Sequence, residues 1–183
     1  MGGSKISFMD GNKVRLRQYE AKDIDIWYNW FNDAEIVRLM DQRRWPNTKE
    51  KQKRYLEVMT VSRSDMQLAI IYKANDRLVG TVGLHGIDPI NRNADISVII
   101  GDKKYWGKGL AKDAVGLLVH HAFAMLNLHK LTAGFVDGNT ASQRLFESVG
   151  FKKEALLREQ VYLGGKYCDI IRMGLLKKDY EIL

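Results

Sequence analysis

The sequence predicts a mixed α/β domain with a central, mostly antiparallel sheet flanked by helices, and three observations predict it. Apolar runs at Met66–Lys73, Arg77–Leu84 and Asp95–Ile100 have strand length and are joined by turn residues at 74–76 and 88–93, so they read as consecutive antiparallel strands. Between Asp95–Ile100 and the next strand-like run, Lys130–Val136, apolar Leu110, Ala114, Leu117, Leu118, Ala122 and Met125 recur at helical spacing. A helix inserted between two strands makes that one pair parallel. Two long runs, about Lys153–Tyr162 and Lys166–Lys177, turn at Gly164-Gly165 as a terminal hairpin.

The remaining elements follow in chain order. Residues 1–12 are small and polar and read as a flexible N-terminus, leaving 13–183 as one domain. Val14–Tyr19 alternates as a strand with Val14, Leu16 and Gln18 on one face. Asp23–Asn32 carries Ile26, Trp27, Trp30 and Phe31 at helical spacing, and the two tryptophans read as packing residues. A short helix follows over Ala34–Met40. Pro46 ends that region, and Asn47-Thr48 precedes a helix running to about Val61, with Glu50 close behind the cap. Asn139–Val149 forms a short helix closed by Gly150.

Composition narrows the classes. The chain has 183 residues, 45% of them hydrophobic, enough for one well-buried core. No apolar run approaches the roughly 18 residues of a membrane span, and the start of the sequence shows neither a signal segment nor a myristoylation pattern. The single cysteine, Cys168, lies in an apolar run and reads as packing, which fits a reducing, cytoplasmic setting. The net charge of +7 comes from 29 Lys and Arg against 22 Asp and Glu. Neither an aromatic RNA-binding strand nor ligand-spaced Cys and His accompanies it, so a phosphate-bearing small molecule explains the charge better than a nucleic acid, and no metal is expected.

The stretch Gly101–Lys112, Gly-Asp-Lys-Lys-Tyr-Trp-Gly-Lys-Gly-Leu-Ala-Lys, joins strand to helix. Gly107 and Gly109 let backbone N–H groups point outward together where an anion can approach, and Lys103, Lys104, Lys108 and Lys112 add positive charge. Leu110-Ala-Lys112 lacks the Lys-Ser/Thr of a P-loop, and Lys112 stands where a dinucleotide-binding turn needs its third glycine. On local grounds alone, the glycine pair fits a pyrophosphate seat and an ordinary tight turn equally well.

The flanking chain decides between them. It resembles the GNAT acyltransferase superfamily, and within it the RimJ/RimL ribosomal-protein N-terminal acetyltransferase and spermidine acetyltransferase branch. The resemblance covers nearly the whole chain. It rests on Ile87–Asn91 with Ala94–Ser97, Tyr105–Ala111, Leu126–Lys130, Asn139–Ser142, Val149–Phe151 and Tyr162–Asp169 in family order. It implies the GNAT fold, in which the two parallel strands splay and the pantetheine arm of acetyl-CoA lies in the gap. It further implies that backbone groups of Val98, Ile99 and Ile100 bind pantetheine. Lys104, Trp106, Gly107, Lys108, Gly109, Leu110, Ala111 and Lys112 would hold the pyrophosphate, with Lys104 where the family commonly has Gln or Arg.

The resemblance also supplies candidate chemistry. Asn139 would sit near the thiol end of the cofactor. Phe146 stands in the cofactor site where many members carry a proton-donating Tyr, so Ser142, placed as in some ribosomal-protein acetyltransferases, becomes the candidate acid for the thiolate; it serves equally well as a helix-start residue. Asp95 is the candidate base, or else a solvated strand-end carboxylate. His85 and Glu159 are alternative bases facing the acceptor, and His120, His121 and His129 are poorer ones.

The resemblance implies a primary amine as the acceptor. Arg38, Arg43, Arg44 and Arg54 make the implied acceptor wall basic, and Arg43-Arg44-Trp45 sits in a loop suited to an anionic contact. They argue for an amine on an anionic small molecule, such as a nucleotide-linked amino sugar, or for a protein N-terminus. A polyamine acceptor, and a CoA-binding domain with a regulatory role, are the alternatives. Monomer and homodimer both stay open.

Overall fold

The computed structural model describes residues 7–38, 40 and 47–180. Its strands are β1 (Met9–Asp10), β2 (Val14–Arg17), β3 (Met66–Tyr72), β4 (Arg77–Asp88), β5 (Asn93–Ile100), β6 (Lys130–Val136), β7 (Lys152–Leu163) and β8 (Lys166–Leu176). Its α-helices are α1 (Ile24–Asn32), α2 (Ala34–Val37), α3 (Lys49–Val61), α4 (Leu110–Ala124), α5 (Thr140–Glu147) and α6 (Lys177–Tyr180). The strands form one sheet in the order β1-β2-β3-β4-β5-β6-β8-β7. Every neighbouring pair is antiparallel except β5 and β6.

Alternation along the strands sends residues to two apolar layers. On one face α4 buries Leu110, Ala114, Val115, Leu118, Val119, Ala122 and Phe123 against Val14, Leu16, Ala94, Ile96 and Leu131. On the other, Trp27, Trp30 and Leu56 of α1 and α3 close over Ala69, Ile71 and Leu78. Placing Trp27 there, 2% exposed, removes a large apolar area from water. The turn before α1 is fixed by the buried carboxylate of Asp23, which receives two hydrogen bonds from Arg17 at 2.6 and 3.0 Å. Thr48 caps α3 by accepting from Lys51 N–H at 3.1 Å, so the helix starts there.

The structure departs from the sequence reading at several ends. Met9–Asp10, within the stretch expected to be flexible, pairs with β2, while Gln18 lies beyond the strand and is exposed. The described part of α2 stops at Val37. α4 ends at Ala124, so Met125, assigned to its buried face, is 73% exposed.

The decisive feature is the parallel pair. β5 and β6 are in register only at Asn93↔Lys130, Ala94↔Leu131 and Asp95↔Thr132. Beyond that, β5 stays with β4 as far as Ile100↔Gly80, and β6 stays with β8 as far as Val136↔Ile170. Two facing strand edges are thereby left without each other, which makes a fork in the middle of the sheet.

Candidate functional site

The fork opens toward the turn between β5 and α4. A 3-10 turn over Lys103–Tyr105 is followed by Gly107 at φ +72° and Gly109 at φ +76°. Those angles are readily available only to glycine. A Cβ built at Gly107 meets nothing within 4 Å, so the turn presents open space where the N-terminus of α4 begins. This is a fit for a pyrophosphate: clustered N–H groups, a helix start and room for phosphate oxygens.

The cations around the turn divide into distinct roles. Lys103 Nζ is engaged by Asp33 at 2.9 Å and Glu35 at 2.8 Å, and Lys108 Nζ lies 4.8 Å from the centre of the Tyr105 ring. Lys104 and Lys112 are exposed. Lys13 is an arrival that the local motif does not show. Its Nζ donates to Lys108 O at 2.9 Å, because Asp113 in the first turn of α4 binds the β1–β2 turn through the N–H groups of Asn12, Lys13 and Val14 at 3.3, 2.7 and 2.9 Å.

Val98, Ile99 and Ile100 lie on the β5 prong, as expected, with one correction. The Ile100 carbonyl already accepts from Trp106 Nε1 at 2.7 Å, so the indole is tied to the strand end and that carbonyl is taken. Of the two residues that open α4, Leu110 is 1% exposed and belongs to the core, whereas Ala111 is half-buried. On the opposite prong β6 ends at Val136 and α5 begins at Thr140. Asn139 caps α5, its Oδ1 accepting from Ser142 N–H at 3.1 Å, and Ser142 is half-buried in the first turn. Phe146, expected against the cofactor, is 4% exposed and packs between Phe135, parallel at 6.2 Å, and Phe151 at 5.1 Å. Its ring belongs to the core.

On the sheet face away from α4, the side chains of Asp95, Ser97 and Ile99 alternate outward. There a cavity of about 480 Å³ is lined by apolar Trp27, Phe31, Met40, Met59 and Ile99, and by polar groups that include Asn47, Gln52, Asp65 and His85. Ile99 belongs both to this wall and to the β5 prong, so the cavity adjoins the fork. His85 Nε2 stands 2.7 Å from Ser97 Oγ, and its Nδ1 lies 3.7 Å from Asp65 Oδ1. Burial lowers the His85 pKa, while Asp65 and Asp95 pull it upward. Burial is the largest of these influences, so the His85 pKa lies below its ordinary value. Asp65 is itself partly buried, which raises its pKa, but hydrogen bonds from Ser64, Gly86 N–H and Ser62 outweigh that and keep it ionised.

Asp95, expected as the base, has another setting. Its Oδ1 accepts from Arg172 Nη2 at 2.6 Å and from Thr132 Oγ1, and the same Nη2 reaches Thr132 Oγ1 at 3.0 Å. Asp95 stands at the last register pair before β5 and β6 part. Glu159 is also displaced: at φ +50° it occupies a bulge of the edge strand β7, exposed, with its N–H on Asp169 Oδ1 at 2.8 Å. β6 and β8 separate that strand from the cavity. Arg38 and Arg54 are exposed and do not line the cavity, so they form no arginine wall; Arg43, Arg44 and Trp45 lie outside the described residues.

Asp65, Ser97, Asn47 and Gln52 are site residues that sequence reasoning missed. Ser97 alone carried a signal, a hydroxyl in an otherwise apolar strand centre.

Comparison with known proteins places this geometry. The sequence model of the family described as acetyltransferase (GNAT) domain matches residues 13–152. An uncharacterized N-acetyltransferase of Bacillus licheniformis, p20, is 30% identical over 92% of this chain and 95% of its own. The spermidine N(1)-acetyltransferase of Vibrio cholerae is 27% identical over 92% of this chain and 96% of its own. A crystal structure of the Vibrio cholerae spermidine N-acetyltransferase in complex with CoA and spermine superposes with a TM-score of 0.85, at 25% identity, covering 92% of this chain and 98% of that one.

Proposed function

The chain belongs to the GNAT acetyltransferases and uses acetyl-CoA to acetylate an amine, and from that premise we propose that His85 is its general base and Ser142 its proton donor. When bound, acetyl-CoA supplies an activated acetyl thioester. The residues suited to hold it are the β5 prong at Val98 and Ile99, the turn Trp106–Lys112 with Lys13 beside it, and Asn139 across the fork.

The observation that carries the reading is the place of His85, in the cavity wall beside the fork with Nε2 2.7 Å from Ser97 Oγ on β5. Acyl transfer needs an uncharged amine, and an amine enters from water mostly protonated. A histidine whose pKa lies below its ordinary value is unprotonated at neutral pH and free to accept the proton that the amine nitrogen loses as the N–C bond forms. Ser97 Oγ, 2.7 Å from Nε2, fixes the ring, and the ionised Asp65 steadies the imidazolium once it forms. On the other prong Ser142 Oγ, at the start of α5, is suited to give a proton to a departing thiolate.

The acceptor is a primary amine on an anionic small molecule, such as a nucleotide-linked amino sugar, or a protein N-terminus. Among the described lining residues the only carboxylate is Asp65, which already faces His85, whereas Lys51 stands at the wall. Several ammonium groups would find little to hold them there. The polyamine reading is kept by one finding, the resemblance to spermidine acetyltransferases.

Acetyl-CoA turnover measured with and without a panel of primary amines tests the proposal. Amine-dependent CoA release that collapses in His85→Asn supports it. Tight acetyl-CoA binding without release for any amine would replace it with a regulatory, CoA-binding role.

A further inference from the structure

Helix α1 touches both ligand sites. Its Trp27 and Phe31 line the acceptor cavity, while the buried Trp30 lays its indole over Gly101, where the chain leaves β5 for the phosphate turn. A Cβ built at Gly101 would run into that indole, so the close approach needs a glycine. Just past the end of α1, Asp33 caps α2 through Oδ1, which accepts from Glu35 N–H at 2.9 Å, and its Oδ2 holds Lys103 Nζ at 2.9 Å. Glu35 Oε2 holds the same ammonium at 2.8 Å. Lys103 belongs to the basic stretch ahead of Trp106–Lys112, yet its charge is taken up by two carboxylates of the α1–α2 junction.

We infer, on the premise that acetyl-CoA binds at this turn, that Lys103 is a positioning residue for the acceptor: it ties α1, and with it the cavity wall, to the phosphate turn instead of serving as a phosphate ligand. The ion pairs are too exposed to matter much for stability, with Lys103 at 41% and Glu35 at 56%. Their effect is to locate. Two carboxylates fix the ammonium on one side and Trp30 rests on Gly101 on the other, so the C-terminal end of α1 is set by the turn. A helix of nine residues is stiff, and a shift at that end is carried to Trp27 and Phe31. A phosphate group that settles in the turn favours the arrangement that binds it, and an element attached to the turn shares that preference. A cofactor-loaded turn thereby presents the amine with a wall already in place.

The test is amide hydrogen exchange on the full chain, free and saturated with CoA, with CoA affinity measured in parallel by titration calorimetry. In the wild type, CoA should slow exchange at residues 27–32 by on the order of 10-fold, an ordinary size for coupling between two sites. Lys103→Met removes the strut and leaves Trp30 on Gly101, so the slowing should shrink by about 3-fold, the scale of an exposed ion pair. CoA affinity should stay near the wild-type value. Lys103→Arg, which keeps the charge and reaches both carboxylates, should restore the slowing. A merely structural contact would quicken exchange in α1 equally with and without CoA, and an unchanged CoA-dependent ratio in Lys103→Met overturns the inference. So does an α1 indifferent to CoA in the wild type. A CoA affinity lower by on the order of 10-fold in Lys103→Met also overturns it, because that is the mark of a lost phosphate contact. In each of these cases the acetyltransferase reading survives, whereas a chain that binds no CoA overturns both.

Discussion

Across the β4–β5 ladder, His85 Nε2 lies 2.7 Å from Ser97 Oγ, and this short contact joins the acceptor cavity to the prong of the fork. Burial depresses the imidazole pKa below its ordinary 6.5 against the pull of Asp65 and Asp95. A base must be unprotonated to act, so activity is full above the folded-state pKa and falls as pH drops through it. The acid limb of kcat/KM should therefore have its midpoint below 6.5. His85→Asn should lower kcat by about 10²–10⁴-fold and abolish that limb. Ser97→Ala frees the ring and should shift the midpoint. An unchanged pH profile in His85→Asn would move the base elsewhere.

The phosphate turn predicts a binding defect separate from chemistry. Gly109 has φ +76°, and a Cβ there would lie 3.2 Å from Lys13 Nζ. Gly109→Val adds a branched side chain at a conformation that disfavours it and fills the approach to the turn. Acetyl-CoA affinity measured by titration calorimetry should fall at least about 10-fold, on the scale of a lost phosphate contact. Wild-type affinity in this variant would refute the seat.

Ser142 makes the third case. Phe146 is enclosed by Phe135 and Phe151 and has no proton to give, whereas Ser142 is half-buried at the start of α5 with its backbone N–H already capped by Asn139. Ser142→Ala should lower kcat by about 10²-fold, at the low end for a lost acid, with acetyl-CoA affinity nearly unchanged. Equal kcat under single-turnover conditions would assign the proton to water.

The parts read correctly from sequence are those whose residues are contiguous. Strands β3 to β6 announce themselves by apolar runs, the parallel pairing of β5 with β6 follows from the crossover helix between them, and the strand-to-helix turn with Gly107 and Gly109 occupies one dozen-residue stretch. The acceptor cavity has no such locality, since Trp27, Gln52, Asp65 and Ser97 come from different elements and meet only through packing. The setting of Asp95 is hidden from the sequence for the same reason. Its partner Arg172 is 77 residues away, and only the sheet order, β6 beside β8, brings the guanidinium across Gly134 to it.

Asp95 and base catalysis can be separated by experiment. With Arg172 at 2.6 Å and Thr132 beside it, Asp95 locks the root of the fork. Both side chains are partly exposed, at 46% and 32% for Asp95 and Arg172, so the pair is worth at most about 1 kcal/mol. Asp95→Asn should lower Tm slightly and weaken acetyl-CoA binding through a looser fork, while the acid limb of the pH profile persists. If that limb disappears instead, Asp95 is the base after all.

The last prediction concerns a residue far from the chemistry. Asp113 accepts three backbone N–H groups of the β1–β2 turn, two of them at 2.7 and 2.9 Å, and so presses the N-terminal hairpin onto α4. That contact is what brings Lys13 Nζ to Lys108 O at the phosphate turn. Hydrogen bonds to a charged acceptor contribute about 1.5–3 kcal/mol each, and the turn's N–H groups regain water when the carboxylate is removed. Asp113→Ala should therefore cost about 2–3 kcal/mol of stability. Hydrogen exchange should quicken at residues 12–14 before it does so elsewhere, because the hairpin end opens locally. Acetyl-CoA affinity should fall in the same variant and in Lys13→Met, whereas Lys13→Met should keep the exchange protection of Asp113's partners. If Lys13→Met binds acetyl-CoA as tightly as the wild type, the clamp supports the fold alone; if it binds more weakly with the hairpin intact, Asp113 serves the cofactor by holding Lys13 in place.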